Sequence, residues 1–125
     1  MDILGITIWR EARGEGSGGM MGVYNVIRNR VSASPKNGWS NDPEKVCLQP
    51  YQFSCWNTND PQRNLYPTVD DLQYQKIKAF FDPAISVMDN TGGATGYFDD
   101  SIKPPVWATQ NNFTKKIGSL NFYKL

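Results

Sequence analysis

Apolar residues recur at helical spacing through the first quarter of the chain. Ile3, Ile6, Ile8 and Trp9 follow Asp2 and predict a helix over about residues 2–13, with Asp2 as its cap. Gly14, Gly16, Gly18 and Gly19 interrupt it. Met20, Met21, Val23, Tyr24, Val26, Ile27 and Val31 then mark one face of a second helix that ends near Ser32. Periodicity disappears over residues 33–67, which are rich in Pro, Asn, Ser, Gly and Asp and predict long loops with one short helix. An irregular stretch of that length in a small chain is usually functional or pinned down. Thr68 is placed to cap a third helix, with Asp71 at its third position and Leu72, Ile77, Phe80 and Phe81 on its apolar face. Asp82-Pro83 predicts a restart that carries Ala84, Ile85, Val87 and Met88 on to Asp89. A turn at Asn90–Gly93 follows. Ala94–Phe98, Val106–Ala108 and Asn121–Tyr123 read as short strands or extended segments. No repeat, low-complexity tract or linker divides residues 1–125, so a single domain with one modest core is expected.

Charge changes this picture little. The net charge is +1, which implies no bulk attraction to nucleic acid or to a membrane surface. Lys103, Lys115, Lys116 and Lys124 give the last 25 residues a local excess of positive charge, read as a solvated face rather than a patch for an anionic polymer. No apolar run approaches the roughly 18 residues of a membrane span. No secretory signal is recognisable, so the chain is expected to be made in the cytoplasm and to act after release.

Histidine is absent, and that excludes more than any other feature. Ser-His-Asp and Cys-His catalysis need an imidazole, and the common catalytic zinc sites use one. No metal and no cofactor is therefore expected. Carboxylate chemistry remains, and the largest reaction class that needs only carboxyl groups is glycosidic bond cleavage.

Two of the three glutamates, Glu11 and Glu15, fall in the segment Trp9-Arg10-Glu11-Ala12-Arg13-Gly14-Glu15, where a helical run meets the glycines. A carboxyl at such a junction can be half buried and still face a groove, where desolvation lifts its pKa from about 4.3 toward neutrality. Neighbours on one helical turn cannot flank a sugar ring from opposite sides. One is therefore read as the acid and the other as support. Glu11, after Ile8 and Trp9, is the better acid; Glu15, among glycines, is the wetter support. Arg10 and Arg13 would oppose a raised pKa if they pointed inward, and are expected to point outward.

Tyr51, Phe53 and Trp56 in the central loops, and Tyr97, Phe98 and Trp107 near the C-terminal turns, are placed to stack on sugar faces, beside the polar side chains of Gln52, Ser54, Asn57 and Thr58. Phe53 is read as a loop anchor, and Gln52 and Tyr97 suit either role. Cys47 and Cys55 are close enough in sequence to bridge if their loop doubles back. The alternative is a pair of buried thiols.

Taken in order, several segments resemble the SleB-type cell-wall hydrolases, the spore cortex-lytic enzyme family. They are Ile8-Trp9-Arg10-Glu11-Ala12-Arg13-Gly14-Glu15, Val26-Ile27-Arg28-Asn29-Arg30-Val31, Gln52-Phe53-Ser54-Cys55-Trp56, Thr91-Gly92-Gly93-Ala94-Thr95 with Tyr97, Pro105-Val106-Trp107-Ala108, and Ile117-Gly118 with Phe122-Tyr123. The resemblance implies an α+β, lysozyme-like fold, mainly helical with a small sheet or hairpin. It implies cleavage of the β-1,4 bond between N-acetylmuramic acid and N-acetylglucosamine in a peptidoglycan strand. It also implies a lytic transglycosylase with Glu11 as acid and then base. Gln52, Ser54, Trp56, Thr95, Tyr97 and Trp107 are the candidate substrate-binding residues. Histidines usual in the family are replaced here by Gly96, Phe98 and Leu120. The alternatives are a hydrolytic muramidase, in which Glu15 or Asp99 assists a water, and a non-catalytic glycan-binding module. A monomeric bacteriophage endolysin is the kind of protein such a chain resembles.

Overall fold

Asp2 is the cap expected of it: its carboxylate accepts the Gly5 amide at 3.0 Å and starts α1, Ile3–Ala12. The structure, a computed structural model, describes residues 1–125. A single 3₁₀ turn at Arg13–Glu15 links α1 to α2, Gly16–Ala33, which begins within the glycine cluster rather than after it. The two helices pack through Ile8 and Ala12 against Val23, Val26 and Ile27, all fully enclosed. Two shorter helices complete the helical part, α3 at Pro43–Leu48 and α4 at Leu72–Ala79. Val46, Cys47 and Ile77 carry these into the same core.

Three antiparallel strands form one small sheet: β1, Gly96–Asp99; β2, Phe113–Ile117; and β3, Leu120–Tyr123. Their order is β1-β3-β2, with Tyr97 opposite Phe122. The sheet reaches α2 through Phe122, whose ring lies where a side chain at position 22 would begin. A Cβ on Gly22 would stand 2.5 Å from the ring tip, so only glycine allows this approach. The fold is α+β, mainly helical, as expected.

Three expectations about elements need correction. The third helix is capped not by Thr68 but by Asp71, whose carboxylate accepts the Tyr74 amide at 2.9 Å and the Trp9 indole N–H at 3.1 Å. One side chain thus starts α4 and ties it to α1. No helix forms after Asp82-Pro83. The segment instead runs along α2, where Asn25 and Arg28 donate to the carbonyls of Met88 and Val87. Val106–Ala108 is a turn, following two prolines, and the strand that pairs with β3 is the unforeseen β2. Its Lys115-Lys116 pair suits an exposed edge strand, where charge discourages further pairing.

Candidate active site

Glu11 lies in the last turn of α1 and lines a cleft of about 870 Å³. Two elements bring donors to it. Alternation along β1 puts Tyr97 and Asp99 on one face of the strand, and the Tyr97 hydroxyl donates to Glu11 Oε1 at 2.5 Å. A 3₁₀ turn at Ser54–Trp56 presents the Cys55 amide, which donates to Oε2 at 3.3 Å. Burial raises the Glu11 pKa above its ordinary 4.5; the hydrogen bonds from Tyr97 and Cys55 oppose the rise without cancelling it, and the Asp60 charge adds to it. Burial beside this carboxylate also pushes the Tyr97 phenol well above its ordinary 10, so it remains a donor.

Asp99 lines the same cleft under opposite conditions. Hydrogen bonds from Ser101, whose amide donates at 2.7 Å, and from Ser119 hold its carboxylate below the ordinary range. The Ser119 hydroxyl lies 2.5 Å from Glu15 Oε1 and 2.9 Å from Asp99 Oδ2. A hydroxyl has one proton to donate, so the two carboxylates share it. Glu15 is half exposed and does not line the cleft.

Arg10 does not point outward. It is 4% exposed, and its Nε and Nη1 donate to the carbonyls of Leu65, at 2.9 Å, and Cys55, at 3.4 Å. The Trp56 and Tyr66 rings lie 4.4 and 4.7 Å from its guanidinium carbon. Its Nη2 has no partner. Arg13 folds over Trp9 at 4.1 Å and donates to Gln62 Oε1 at 2.7 Å. The expectation failed because the loop across 54–66 offers carbonyls and rings that water would otherwise have to solvate. Arginine is therefore the pin that the irregular stretch required.

Arg30 was missed as a site residue. It is 6% exposed, lines the cleft, and donates from Nε to the Thr95 carbonyl at 2.6 Å and from Nη1 to Gln52 Oε1 at 3.3 Å. Burial lowers its pKa. It fixes two of the candidate substrate-binding segments relative to α2. The signal was available: position 30 continues the stripe of Val23, Val26 and Ile27 at helical spacing.

The candidates separate into two groups. Gln52, Ser54, Tyr97 and Trp107 line the cleft with Glu11. Thr95 and Trp56 do not. Thr95 is buried, and its Oγ1 accepts the Leu125 amide at 2.8 Å. Trp56 donates from its indole to Thr7 Oγ1 at 2.8 Å and faces a neighbouring depression. Phe53 is an enclosed anchor. Asn37, Trp39, Tyr51 and Gln62 also line the cleft and carried no periodic signal. Of the positions where the resemblance expected histidine, Phe98 and Leu120 give the cleft apolar wall, while a side chain at Gly96 would meet Leu125.

Cys47 and Cys55 are free and enclosed, so the bridge held open from the sequence is not formed. Burial raises the Cys47 pKa to about 11 and that of Cys55, next to Glu11, further. No cluster of three or more acidic or cysteine side chains is arranged to hold a metal ion, and no helix is long and apolar enough to cross a membrane.

The cell wall hydrolase family model matches residues 14–123. The chain is similar to the catalytic domain of the SleB protein of Bacillus cereus, at 26% identity and a TM-score of 0.73, over 98% of this chain and 88% of that one. It is equally similar to the catalytic domain of the germination-specific lytic transglycosylase SleB of Bacillus anthracis, at 26% identity and a TM-score of 0.73, over 98% and 92%. No curated protein matches. The family match begins three residues after Glu11, and the structural matches extend over nearly the whole chain. The chain belongs to the cell wall hydrolase family and is a peptidoglycan-degrading enzyme of the SleB type.

Proposed function

We propose that this cell wall hydrolase cleaves the β-1,4 bond between N-acetylmuramic acid and N-acetylglucosamine as a lytic transglycosylase, with Glu11 as the sole acid and base. The observation that carries this reading is the state of Glu11: a half-buried carboxyl in an open cleft, its pKa raised by burial, held at one oxygen by Tyr97. A raised pKa keeps the proton available to a leaving oxygen. The similarity to a protein described as a lytic transglycosylase supports the same reaction.

The chemistry balances without water. Glu11 gives its proton to the glycosidic oxygen as the C1–O bond breaks. The acetamido oxygen of the muramic residue bonds to C1 in its place, as in substrate-assisted exceptions to the two-carboxylate rule. The Glu11 carboxylate then takes the proton of the 6-hydroxyl, and that oxygen displaces the acetamido group from C1. The product is a 1,6-anhydro ring; the departing sugar keeps the first proton, and Glu11 ends protonated as it began. Tyr97 remains hydrogen-bonded to the carboxylate between the two transfers. Gln52 and Ser54 are placed to hold the acetamido and hydroxyl groups, and Trp107 to meet a sugar face.

Asp99 favours a second reading. It lines the same cleft, and its pKa is lowered where that of Glu11 is raised, a separation that suits an acid and base pair. With Asp99 activating a water, the enzyme would be a hydrolytic muramidase. Digestion of purified peptidoglycan, followed by borohydride reduction and mass spectrometry, separates the two. Transglycosylation gives muramic ends lighter by one water and inert to reduction. Reducible muramic ends would overturn it in favour of hydrolysis.

A further inference from the structure

Gln49-Pro50-Tyr51-Gln52 forms a tight turn, closed by the Gln52 amide donating to the Gln49 carbonyl at 3.2 Å. Proline stands at its second position, and Tyr51, at its third, has φ of 65°. This is the type II pattern, whose third position is normally glycine or asparagine because other side chains are disfavoured at positive φ. Tyrosine here brings no packing to offset that cost: Tyr51 is 87% exposed. A strained, exposed aromatic residue that the fold does not use points to a use outside the fold.

Its position identifies that use. Tyr51 lines the cleft that holds Glu11 and also a second depression of about 440 Å³. It is the ridge between them. Beyond it lie Gln49, Asn57, Thr58, Asn59 and the exposed side of Trp56, whose other surroundings include the Arg10 guanidinium. No charged side chain lines this depression. Amides, a hydroxyl and an aromatic surface without a charge suit a neutral, hydroxyl-rich ligand carrying acetamido groups. They do not suit an anion or a peptide terminus.

We propose that Tyr51 is a stacking ridge for the glycan strand and that the depression beyond it is a further subsite for an N-acetylated amino sugar. The enzyme then grips the strand past the cleft, and long strands are bound in preference to short ones. The proposal rests on the reading of the cleft as a glycan site. It also gives Trp56 a place in binding outside the cleft.

The test is the ratio of kcat/KM on long, peptide-free glycan strands to that on a tetrasaccharide fragment of the same polymer. Wild type should favour the long strands. Tyr51→Gly should reduce that ratio about five- to tenfold, chiefly through KM on the long strands, the order expected for loss of one aromatic stacking contact. Tyr51→Phe should retain it, because the ring and not the hydroxyl is used. Glycine suits the positive φ, so the thermal midpoint of Tyr51→Gly should not fall, and a folding defect is thereby distinguished. An unchanged ratio in Tyr51→Gly, or a loss as large on the tetrasaccharide, would overturn the subsite. A wild-type protein that cleaves neither substrate would overturn the glycosidase reading itself.

Discussion

Two carboxyl groups that line the cleft stand in contrasting states. Glu11 is desolvated, held by a phenol and an amide, and its pKa is raised. Asp99 is wet, held by serines, and its pKa is lowered, with Glu15 sharing the Ser119 hydroxyl. Glu11 and Glu15 are four residues apart in sequence, yet the 3₁₀ turn at Arg13–Glu15 separates them into these two settings. Environment, not residue type, assigns the chemistry.

The strongest way to break the contrast is to replace Glu11, the proposed acid. Glu11→Gln keeps the shape and should reduce peptidoglycan clearance by about 10²–10⁴-fold, the usual worth of a general acid. Near-normal turbidity loss in that variant would end the assignment of Glu11. A smaller effect should follow from Tyr97→Phe. The phenol's hydrogen bond lowers the Glu11 pKa, so its loss should let the carboxyl climb further and move the alkaline limb of the kcat profile to higher pH. A limb that stays in place or moves down would show that the 2.5 Å bond has no part in the working enzyme.

The contrast should also appear in stability. The folded chain holds the Glu11 proton more tightly than the unfolded chain does, because its folded-state pKa lies above 4.5. The resulting stabilisation is complete below pH 4.5 and is lost as pH rises through the folded-state value. The thermal midpoint of Glu11→Gln, relative to wild type, should therefore rise across that window in calorimetry. A constant difference would contradict a raised pKa. Smallest of all should be Glu15→Gln, within about 0.5 kcal/mol of wild type in chemical denaturation and within a few-fold in activity, because its partners are solvated. If Glu15→Gln were the more damaging of the two glutamate changes, the two glutamates would have to exchange roles.

The sequence made much of the setting of Glu11 legible, and for a physical reason. Ile3, Ile6, Ile8 and Trp9 follow helical periodicity, so the end of α1 and the half-burial of Glu11 could be anticipated. The same logic, pressed harder, reaches the arginines. Arg10 and Arg30 continue apolar stripes at three- and four-residue spacing and are buried with them, contrary to what charge alone suggests. What could not be read was set by partners distant in sequence. Asp71 outcompetes Thr68 as a cap because it also receives the Trp9 indole. Residues 83–89 form no helix and are held along α2 by Asn25 and Arg28, partners about sixty residues away in sequence. Strand β2 was hidden by its lysines, and Thr95 was read as a ligand-facing hydroxyl although the Leu125 amide already claims it. Gln52, Ser54 and Tyr97 stood out through residue type and neighbours, whereas Trp39 and Gln62 join the cleft only because the chain folds back over it.

The vacancy at Gly22 acts as a mechanical tolerance. The sheet comes to rest against α2 where Phe122 meets an absent methyl group, and Tyr97 rides on the neighbouring strand with its ring 5.8 Å from that of Phe122. The seat of the Tyr97 phenol is thus gauged from the rear of the molecule by one missing carbon. The placement of Tyr97 beside Glu11 therefore depends on a helix position that does not line the cleft. A lineage that drifted to alanine at this position would have to re-cut Phe122 before its phenol could meet Glu11 again.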